Sequence, residues 1–122
     1  MKPKILVIDD EAEICSMLND FLTKEGYDVV TTTSAMDGID KVVTEKPQVI
    51  CLDIRMPEMN GIEVMEQIRR IDKEVTILMA TAVMDDAISA EAAKLGAYDY
   101  VIKPFDLNYL KKILQVKTAT ME

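Results

Sequence analysis

Polar side chains of a few particular types follow four apolar segments of this sequence, at the point where each segment ends. They are Asp9, Asp10 and Glu11 after the first segment, Asp53 after the third, Thr81 after the fourth and Lys103 after the fifth. Carboxylates crowded within about 5 Å of one another repel by a few kcal/mol at an effective dielectric constant of roughly 20. Because a bound divalent cation relieves that repulsion, clustering of these side chains would predict a metal site.

The available ligand types favour a hard cation and phosphoryl transfer. The sequence contains no histidine, and its two cysteines, Cys15 and Cys51, lie far apart in the chain. Oxygen-only ligands predict Mg²⁺, with Mn²⁺ as the alternative, and such a site keeps positions open for phosphate oxygens. Asp53 is then the predicted nucleophile, because a carboxylate needs no general base to attack phosphorus. Lys103 would pair with the added phosphoryl charge, and the hydroxyl of Thr81 would hydrogen-bond to it.

Each of these side chains also has a simpler interpretation. An acidic residue after a strand often only caps the next helix, and we favour that interpretation for Glu11. Thr81 alone is consistent with a helix cap, and Lys103 alone with a surface charge. These interpretations do not explain why residues of these types end four strands that should meet at one edge. The joint placement therefore favours a functional site.

The apolar segments that precede these residues alternate with helical patterns. They predict strands over Lys4–Ile8, Tyr27–Thr32, Gln48–Leu52, Val75–Ala80 and Tyr98–Ile102. Strands that are apolar on both faces indicate a parallel sheet with helices on each side. The predicted class is therefore α/β, a doubly wound (βα)5 three-layer sandwich. In such sheets the functional site lies at the carboxyl ends of the strands.

Apolar residues at helical spacing predict five helices. Ser34, Asn60 and Asp106 are the predicted N-caps of the second, third and fifth helices. The predicted inward residues are Ile14, Leu18, Phe21 and Leu22; Ala35, Ile39, Val42 and Val43; Val64, Ile68 and Ile71; Ile88, Ala92 and Leu95; and Leu107, Leu110, Ile113 and Leu114. We expect residues 1–122 to form one domain, with a core over about 4–116 and a frayed C-terminal tail.

The composition restricts the partners of this domain. The chain has 122 residues and a formal net charge of −8. So acidic a surface repels nucleic acid and anionic membranes, and we expect direct binding to neither. The chain has no charged-then-apolar leader and no apolar run of membrane-spanning length, which predicts a cytoplasmic protein. Any histidine that takes part in the chemistry must belong to another protein.

The loop after the first strand argues against a flavodoxin-like nucleotide-binding module. Such modules hold phosphate in a loop rich in Gly, Ser and Thr at this position. Here the loop is Asp9-Asp10-Glu11, which would repel phosphate unless a metal ion bridged them.

Several motifs in this chain occur together in one known family. They are Asp9-Asp10, Asp53 followed by Met56-Pro57 and Asn60-Gly61, Thr81-Ala82, and Lys103-Pro104-Phe105. In order and spacing, from Lys4 to about Val116, the sequence resembles the receiver (response regulator) domain of two-component signalling. The resemblance implies a flavodoxin-like sheet in the order 2-1-3-4-5. It also implies that a phosphohistidine on a sensor histidine kinase or phosphotransfer protein phosphorylates Asp53.

The resemblance further implies roles for individual residues. Asp10, Asp53 and the backbone carbonyl of Arg55 would bind Mg²⁺ directly, and Asp9 would bind it through water. Lys103 and Thr81 would contact the phosphoryl group, assisted by backbone N–H groups of Ile54, Arg55 and Ala82.

The Lys103-Pro104 peptide bond would be cis. Tyr100 would be the switch aromatic that turns inward when Thr81 moves, although an aromatic on this strand is also ordinary packing.

Signalling would then pass through the face formed by the fourth helix, fifth strand and fifth helix. That face would control an output domain or a downstream effector protein, or would form a dimer. The chain would be no enzyme beyond its own phosphorylation and dephosphorylation. One alternative is a degenerate receiver that binds protein constitutively, but none of the acidic or lysine positions is lost. A phosphatase with an aspartate nucleophile usually has an acid where this chain has Arg55.

Overall fold

The computed structural model describes residues 2–56, 59–81, 86–103 and 106–119, and at residues 81, 86, 100 and 102 it describes the backbone alone. Within these ranges, five strands and five helices alternate as predicted. The elements are β1 Lys4–Ile8, α1 Ala12–Lys24, β2 Asp28–Thr32, α2 Ala35–Glu45, β3 Val49–Asp53, α3 Gly61–Ile71, β4 Thr76–Thr81, α4 Asp86–Lys94, β5 Asp99–Ile102 and α5 Leu107–Thr118.

The strands form one parallel sheet in the order β2-β1-β3-β4-β5. Ile5 on β1 pairs with Val29 on β2 and with Val49 on β3. Asp53 on β3 pairs with Ala80 on β4. The α/β class, the doubly wound architecture and the strand order are therefore confirmed. Because every strand runs in the same direction, the loops that follow the strands all leave from one edge, which we call the carboxyl edge.

Two hydrophobic layers, one on each face of the sheet, hold the fold together. The strands are apolar on both faces because alternate side chains point to opposite layers. Ile5, Val7 and Cys51 pack with Leu18 of α1 and Leu110 of α5. The layer on the other face contains Leu6, Ile8, Ile50, Leu52, Ile77 and Met79 with side chains from α2, α3 and α4. Each fully buried aliphatic side chain contributes about 1.5–3 kcal/mol.

The predicted N-caps position three of the helices. The Ser34 side chain accepts a hydrogen bond from the N–H of Asp37 at 3.2 Å. Asn60 Oδ1 accepts one from the N–H of Glu63 at 3.0 Å, at the start of α3. Asp106 Oδ1 accepts hydrogen bonds from the N–H groups of Asn108 and Tyr109 in the first turn of α5. These bonds satisfy donors that have no partner within the helix, so all three cap predictions are confirmed.

Two predicted inward residues lie at the surface. Val43 is 54% exposed and Ile71 is 43% exposed. Val43 lies at the margin of the α2 stripe, whose centre is occupied by Ile39 and Val42. Ile71 is the last residue of α3, and the core position next to Val64 is filled by Met65, which is fully buried. Helical spacing therefore located the buried stripes but not their edges.

The last helix continues beyond the predicted core. α5 extends to Thr118, whose hydroxyl donates a hydrogen bond to Leu114 O at 2.6 Å and lies 3.4 Å from the Tyr27 hydroxyl. Among the described residues, α1 with 13 residues and α5 with 12 are the longest helices. None of the helices in these ranges combines the length and the apolar character that a membrane span requires.

Candidate functional site

The strand order brings the predicted site residues to the carboxyl edge. Asp9 follows β1 directly, and Asp53 is the last residue of the adjacent strand β3. Thr81 is the last residue of β4, and its backbone pairs with Ile102 on β5. Lys103 follows β5 directly. The site is therefore assembled from residues that are far apart in the sequence but lie at the ends of neighbouring parallel strands.

Three carboxylates form the acidic part of this site. Each of Asp9, Asp10 and Asp53 offers an oxygen atom, and these atoms all lie within 4.8 Å of one another. Asp9 is 2% exposed and Asp53 is 4% exposed, whereas Asp10 faces solvent. Three carboxylate oxygens at this spacing are the donor set that Mg²⁺ or a similar hard ion prefers.

The surroundings of Asp53 make its negative charge unfavourable. Burial raises the pKa of Asp53 from 3.8 to about 6, and a hydrogen bond with Asp10 and the charge of Asp9 act in the same direction. The backbone N–H of Arg55, which donates to Asp53 Oδ1 at 3.0 Å, and the ammonium of Lys103 partly oppose this rise. Removal from water is therefore the main reason why the charged form of Asp53 is disfavoured, and the neighbouring aspartates add to it.

The ammonium group of Lys103 lies among three carboxylates. Its Nζ atom is 2.8 Å from Asp9 Oδ2, 3.4 Å from Asp53 Oδ2 and 3.3 Å from Glu11 Oε1. Burial alone would lower the pKa of Lys103, but the hydrogen bonds and charges of these carboxylates raise it above its usual value. Lys103 therefore stays protonated and supplies a fixed positive charge beside Asp53.

The loop after β3 continues the site. Arg55 and Asn60 form an isolated antiparallel bridge that closes this loop before α3 begins. The N–H of Arg55 points at the Asp53 carboxylate, but the N–H of Ile54 donates to Ala80 O at 3.2 Å. The N–H of Ile54 could donate a hydrogen bond to a phosphoryl group only after its hydrogen bond to Ala80 O is broken.

A family model for the response regulator receiver domain matches residues 5–115. This chain belongs to that family. The receiver domain is 39% identical over 106 residues to chemotaxis protein CheY of Thermotoga maritima, a match that covers 86% of this chain and 88% of the relative. It is 42% identical over 105 residues to the alkaline phosphatase synthesis transcriptional regulatory protein PhoP of Bacillus subtilis, which covers 86% of this chain and 44% of the relative.

Solved structures agree with this assignment. The structure of chemotaxis protein CheY4 of Vibrio cholerae matches the receiver domain with a TM-score of 0.90 at 30% identity. The match covers 95% of this chain and 98% of that chain. The family and the fold that the sequence motifs indicated are therefore both confirmed.

Glu11 differs from its predicted role in this receiver domain. It stands at the N-cap position of α1, but its side chain accepts no capping hydrogen bond. Instead, Asp9 Oδ1 accepts a hydrogen bond from the N–H of Glu11 at 2.9 Å, and the Glu11 carboxylate pairs with Lys103. The capping interpretation was therefore wrong for the side chain. Its partner lies 92 residues away, so helix-cap patterns could not reveal it.

Several predicted features of the receiver domain lie outside the described residues. They are the side chains of Thr81 and Tyr100, residue Ala82, and the Lys103-Pro104 peptide bond. Their roles stay predictions, as does the backbone carbonyl of Arg55 as a metal ligand.

Proposed function

We propose that this receiver domain accepts a phosphoryl group on Asp53, from a phosphohistidine of a sensor histidine kinase or phosphotransfer protein. The observation that carries the proposal is the environment of Asp53. Asp53 as a residue is 4% exposed, and its carboxylate lies beside two further aspartates and 3.4 Å from the ammonium of Lys103. Asp53 is thus a buried acid beside a fixed positive charge. If it gains a phosphoryl group, a metal ion and Lys103 can neutralise the added negative charge.

The donor set fits Mg²⁺. Asp9, Asp10 and Asp53 place carboxylate oxygens within 4.8 Å of one another. Burial is the main cause of the raised pKa of Asp53, and the neighbouring Asp10 and Asp9 add to it. We propose that these residues hold the ion, with Asp10, Asp53 and the Arg55 carbonyl as direct ligands and Asp9 through water. When bound, Mg²⁺ neutralises charge on the transferring phosphoryl oxygens and aligns them for attack.

The transfer itself needs few groups from this chain. An Asp53 carboxylate oxygen attacks phosphorus, the phosphorus–nitrogen bond to the donor imidazole breaks, and that nitrogen keeps the electron pair. Lys103 stays protonated throughout and balances the added negative charge. The N–H of Arg55 already points at the acceptor carboxylate. The donor histidine comes from outside because this chain has none.

Phosphorylation would act as a switch. We propose that Thr81 closes on the phosphoryl group, that Tyr100 turns inward, and that the face of α4, β5 and α5 shifts between two preformed states. That face would control an output domain or effector protein, or pair two copies of the chain. The intact set of Asp9, Asp10, Asp53 and Lys103 favours this active switch over a degenerate receiver that binds constitutively.

We also propose the extent of this domain, its cellular compartment and the limits of its catalysis. Residues 1–122 would act as one receiver domain in the cytoplasm, catalysing only its own phosphorylation and dephosphorylation. The net charge of −8 supports signalling without direct contact to nucleic acid or an anionic membrane surface.

Substitution of the acceptor tests the proposal. With acetyl phosphate and Mg²⁺, wild type should gain one phosphoryl group, measured as a mass increase on the intact protein. Asp53→Asn should abolish this gain, because an amide is not a nucleophile toward phosphorus. Asp40→Asn is the matched control, since Asp40 is an exposed aspartate on α2. Stoichiometric labelling of Asp53→Asn at the wild-type rate would show that the nucleophile is assigned wrongly.

A further inference from the structure

One of the three carboxylates around Lys103 has no task in the proposed phosphotransfer. Asp9 and Asp53 serve the metal and the acceptor, and their side chains are 2% and 5% exposed. Glu11 pairs with the same ammonium group at 3.3 Å, but its side chain is 59% exposed. Its contact with Lys103 therefore calls for a separate explanation.

The number of donors on Lys103 makes these contacts competitive. A lysine ammonium has three N–H donors, and three carboxylates lie within reach of them. A phosphoryl group on Asp53 would add further anionic acceptors beside these three donors. The exposed Glu11 carboxylate is the partner that can leave at the lowest cost, because water replaces the lost bond. Asp9 is buried, and its Oδ2 atom would lose the Lys103 contact at 2.8 Å without regaining water.

We infer that Glu11 is a positioning residue that competes with the incoming phosphoryl group for Lys103 and thereby slows phosphorylation of Asp53. This inference rests on the proposed function. Before phosphorylation, Glu11 holds one donor of the Lys103 ammonium group. During transfer, Lys103 exchanges this exposed partner for a phosphoryl oxygen, and part of the barrier to labelling is the loss of the Glu11 contact.

The local structure allows Glu11 to be changed without disturbing the helix. Its side chain makes no capping hydrogen bond at the start of α1. The backbone at this position is held by the bond from the Glu11 N–H to Asp9 Oδ1, which any non-proline residue preserves. Substitutions at Glu11 should therefore fold normally, and thermal unfolding of each variant checks this.

The experiment compares three variants with wild type. Rates of labelling by acetyl phosphate are measured at saturating Mg²⁺ over a range of acetyl phosphate concentrations. Glu11→Gln should label about two- to fivefold faster, which is the effect expected from losing one exposed ion pair. The acceleration should shrink at high salt, because salt already weakens an exposed pair. Glu13→Gln is the control, since Glu13 is exposed, also lies in the first turn of α1, and takes part in none of the ion pairs of the described residues.

Glu11→Asp separates contact from charge. The aspartate keeps the negative charge but is one methylene shorter, so it should lose the contact with Lys103 and label faster, as Glu11→Gln does. If only the electrostatic field of the carboxylate mattered, Glu11→Asp would label at the wild-type rate, and the inference would be overturned.

The remaining outcomes are equally decisive. Wild-type rates in Glu11→Gln, or equal acceleration in Glu13→Gln, would overturn the inference and leave the proposed function standing. A wild-type protein that acetyl phosphate and Mg²⁺ do not label would instead refute the proposed function, and the role of Glu11 would fall with it.

Discussion

Two partly buried cations at opposite edges of the sheet are neutralised in different ways. At the carboxyl edge, Lys103 contacts three carboxylates. At the other edge, Arg69 of α3 donates to four backbone carbonyls, those of Leu95 at 2.7 Å, Val75 at 2.7 Å, Gly96 at 3.0 Å and Asp72 at 3.5 Å. Arg69 thereby ties the end of α3 to the start of β4 and to the turn between α4 and β5.

The electrostatic consequences are opposite. Burial lowers the pKa of the Arg69 guanidinium, and the charge of Asp72 offsets this only in part. The pKa of Lys103 is instead raised, because carboxylate partners outweigh its burial. Neutral carbonyls that belong to the backbone cannot move away, so Arg69 has a structural role. Charged side chains can exchange partners, which the switch proposed for Lys103 requires.

The largest expected change in the free energy of unfolding comes from replacing each of the two cationic side chains by methionine. These two substitutions test the difference between Lys103 and Arg69 directly. Lys103→Met should lower the free energy of unfolding of the metal-free protein by about 3 kcal/mol at neutral pH, because two buried carboxylates lose their counter-charge. Arg69→Met should cost about 2 kcal/mol, because carbonyls lose a charged donor. Urea unfolding measures both values.

Mg²⁺ distinguishes the two variants. It should stabilise Lys103→Met more than it stabilises wild type, since the ion replaces the missing positive charge. It should stabilise Arg69→Met and wild type equally. Equal gains in both variants would contradict the distinction between an exchangeable and a structural cation.

Two glycines extend the comparison of the edges with a smaller effect. A Cβ atom on Gly61 would lie 2.4 Å from Ile54 Cα, in the loop that carries Arg55. Gly61→Ala should therefore cost about 2 kcal/mol through overpacking and also slow the labelling of Asp53. Gly26, at the opposite edge, has φ of +95° and nothing within 4 Å of its Cβ position. Gly26→Ala should cost about 1 kcal/mol through backbone strain.

The free energy of unfolding and the rate of Asp53 labelling are both measured for each glycine variant. Gly26→Ala should label at the wild-type rate, because its strain lies far from Asp53. Slow labelling in Gly26→Ala, or a normal rate in Gly61→Ala, would show that local geometry at the carboxyl edge does not limit the reaction.

The smallest expected effect is the pH dependence of stability and of Mg²⁺ binding at the carboxyl edge. The pKa of Asp53 is raised to about 6, so the folded state holds this proton more tightly than the unfolded state. Asp53 therefore stabilises the metal-free fold at low pH, and this contribution is lost as the pH rises from 3.8 through about 6. Mg²⁺ competes with the same proton, so its affinity should fall about tenfold from pH 7 to pH 5. Calorimetric titration at both values measures this, and a flat profile would contradict it.

Local sequence patterns were sufficient for most of the secondary structure. Ser34, Asn60 and Asp106 cap their helices because a cap needs only a side-chain oxygen and N–H groups two or three residues later. Val43 and Ile71 were misassigned because their burial depends on neighbouring elements. Helical spacing defines a face, but only tertiary packing decides how wide its buried part is.

The sequence by itself determined which chemical groups stand at the carboxyl edge. Asp9, Asp10, Asp53 and Lys103 each follow or end an apolar strand, and parallel strands bring such positions together. Tertiary structure alone decided which of these groups touch. The pairing of Lys103 with Glu11, and the use of backbone carbonyls by Arg69, depend on distances between elements that lie far apart in the chain. Residue type specifies what a group can bind, but only the packed fold specifies what lies within 3 to 4 Å of it.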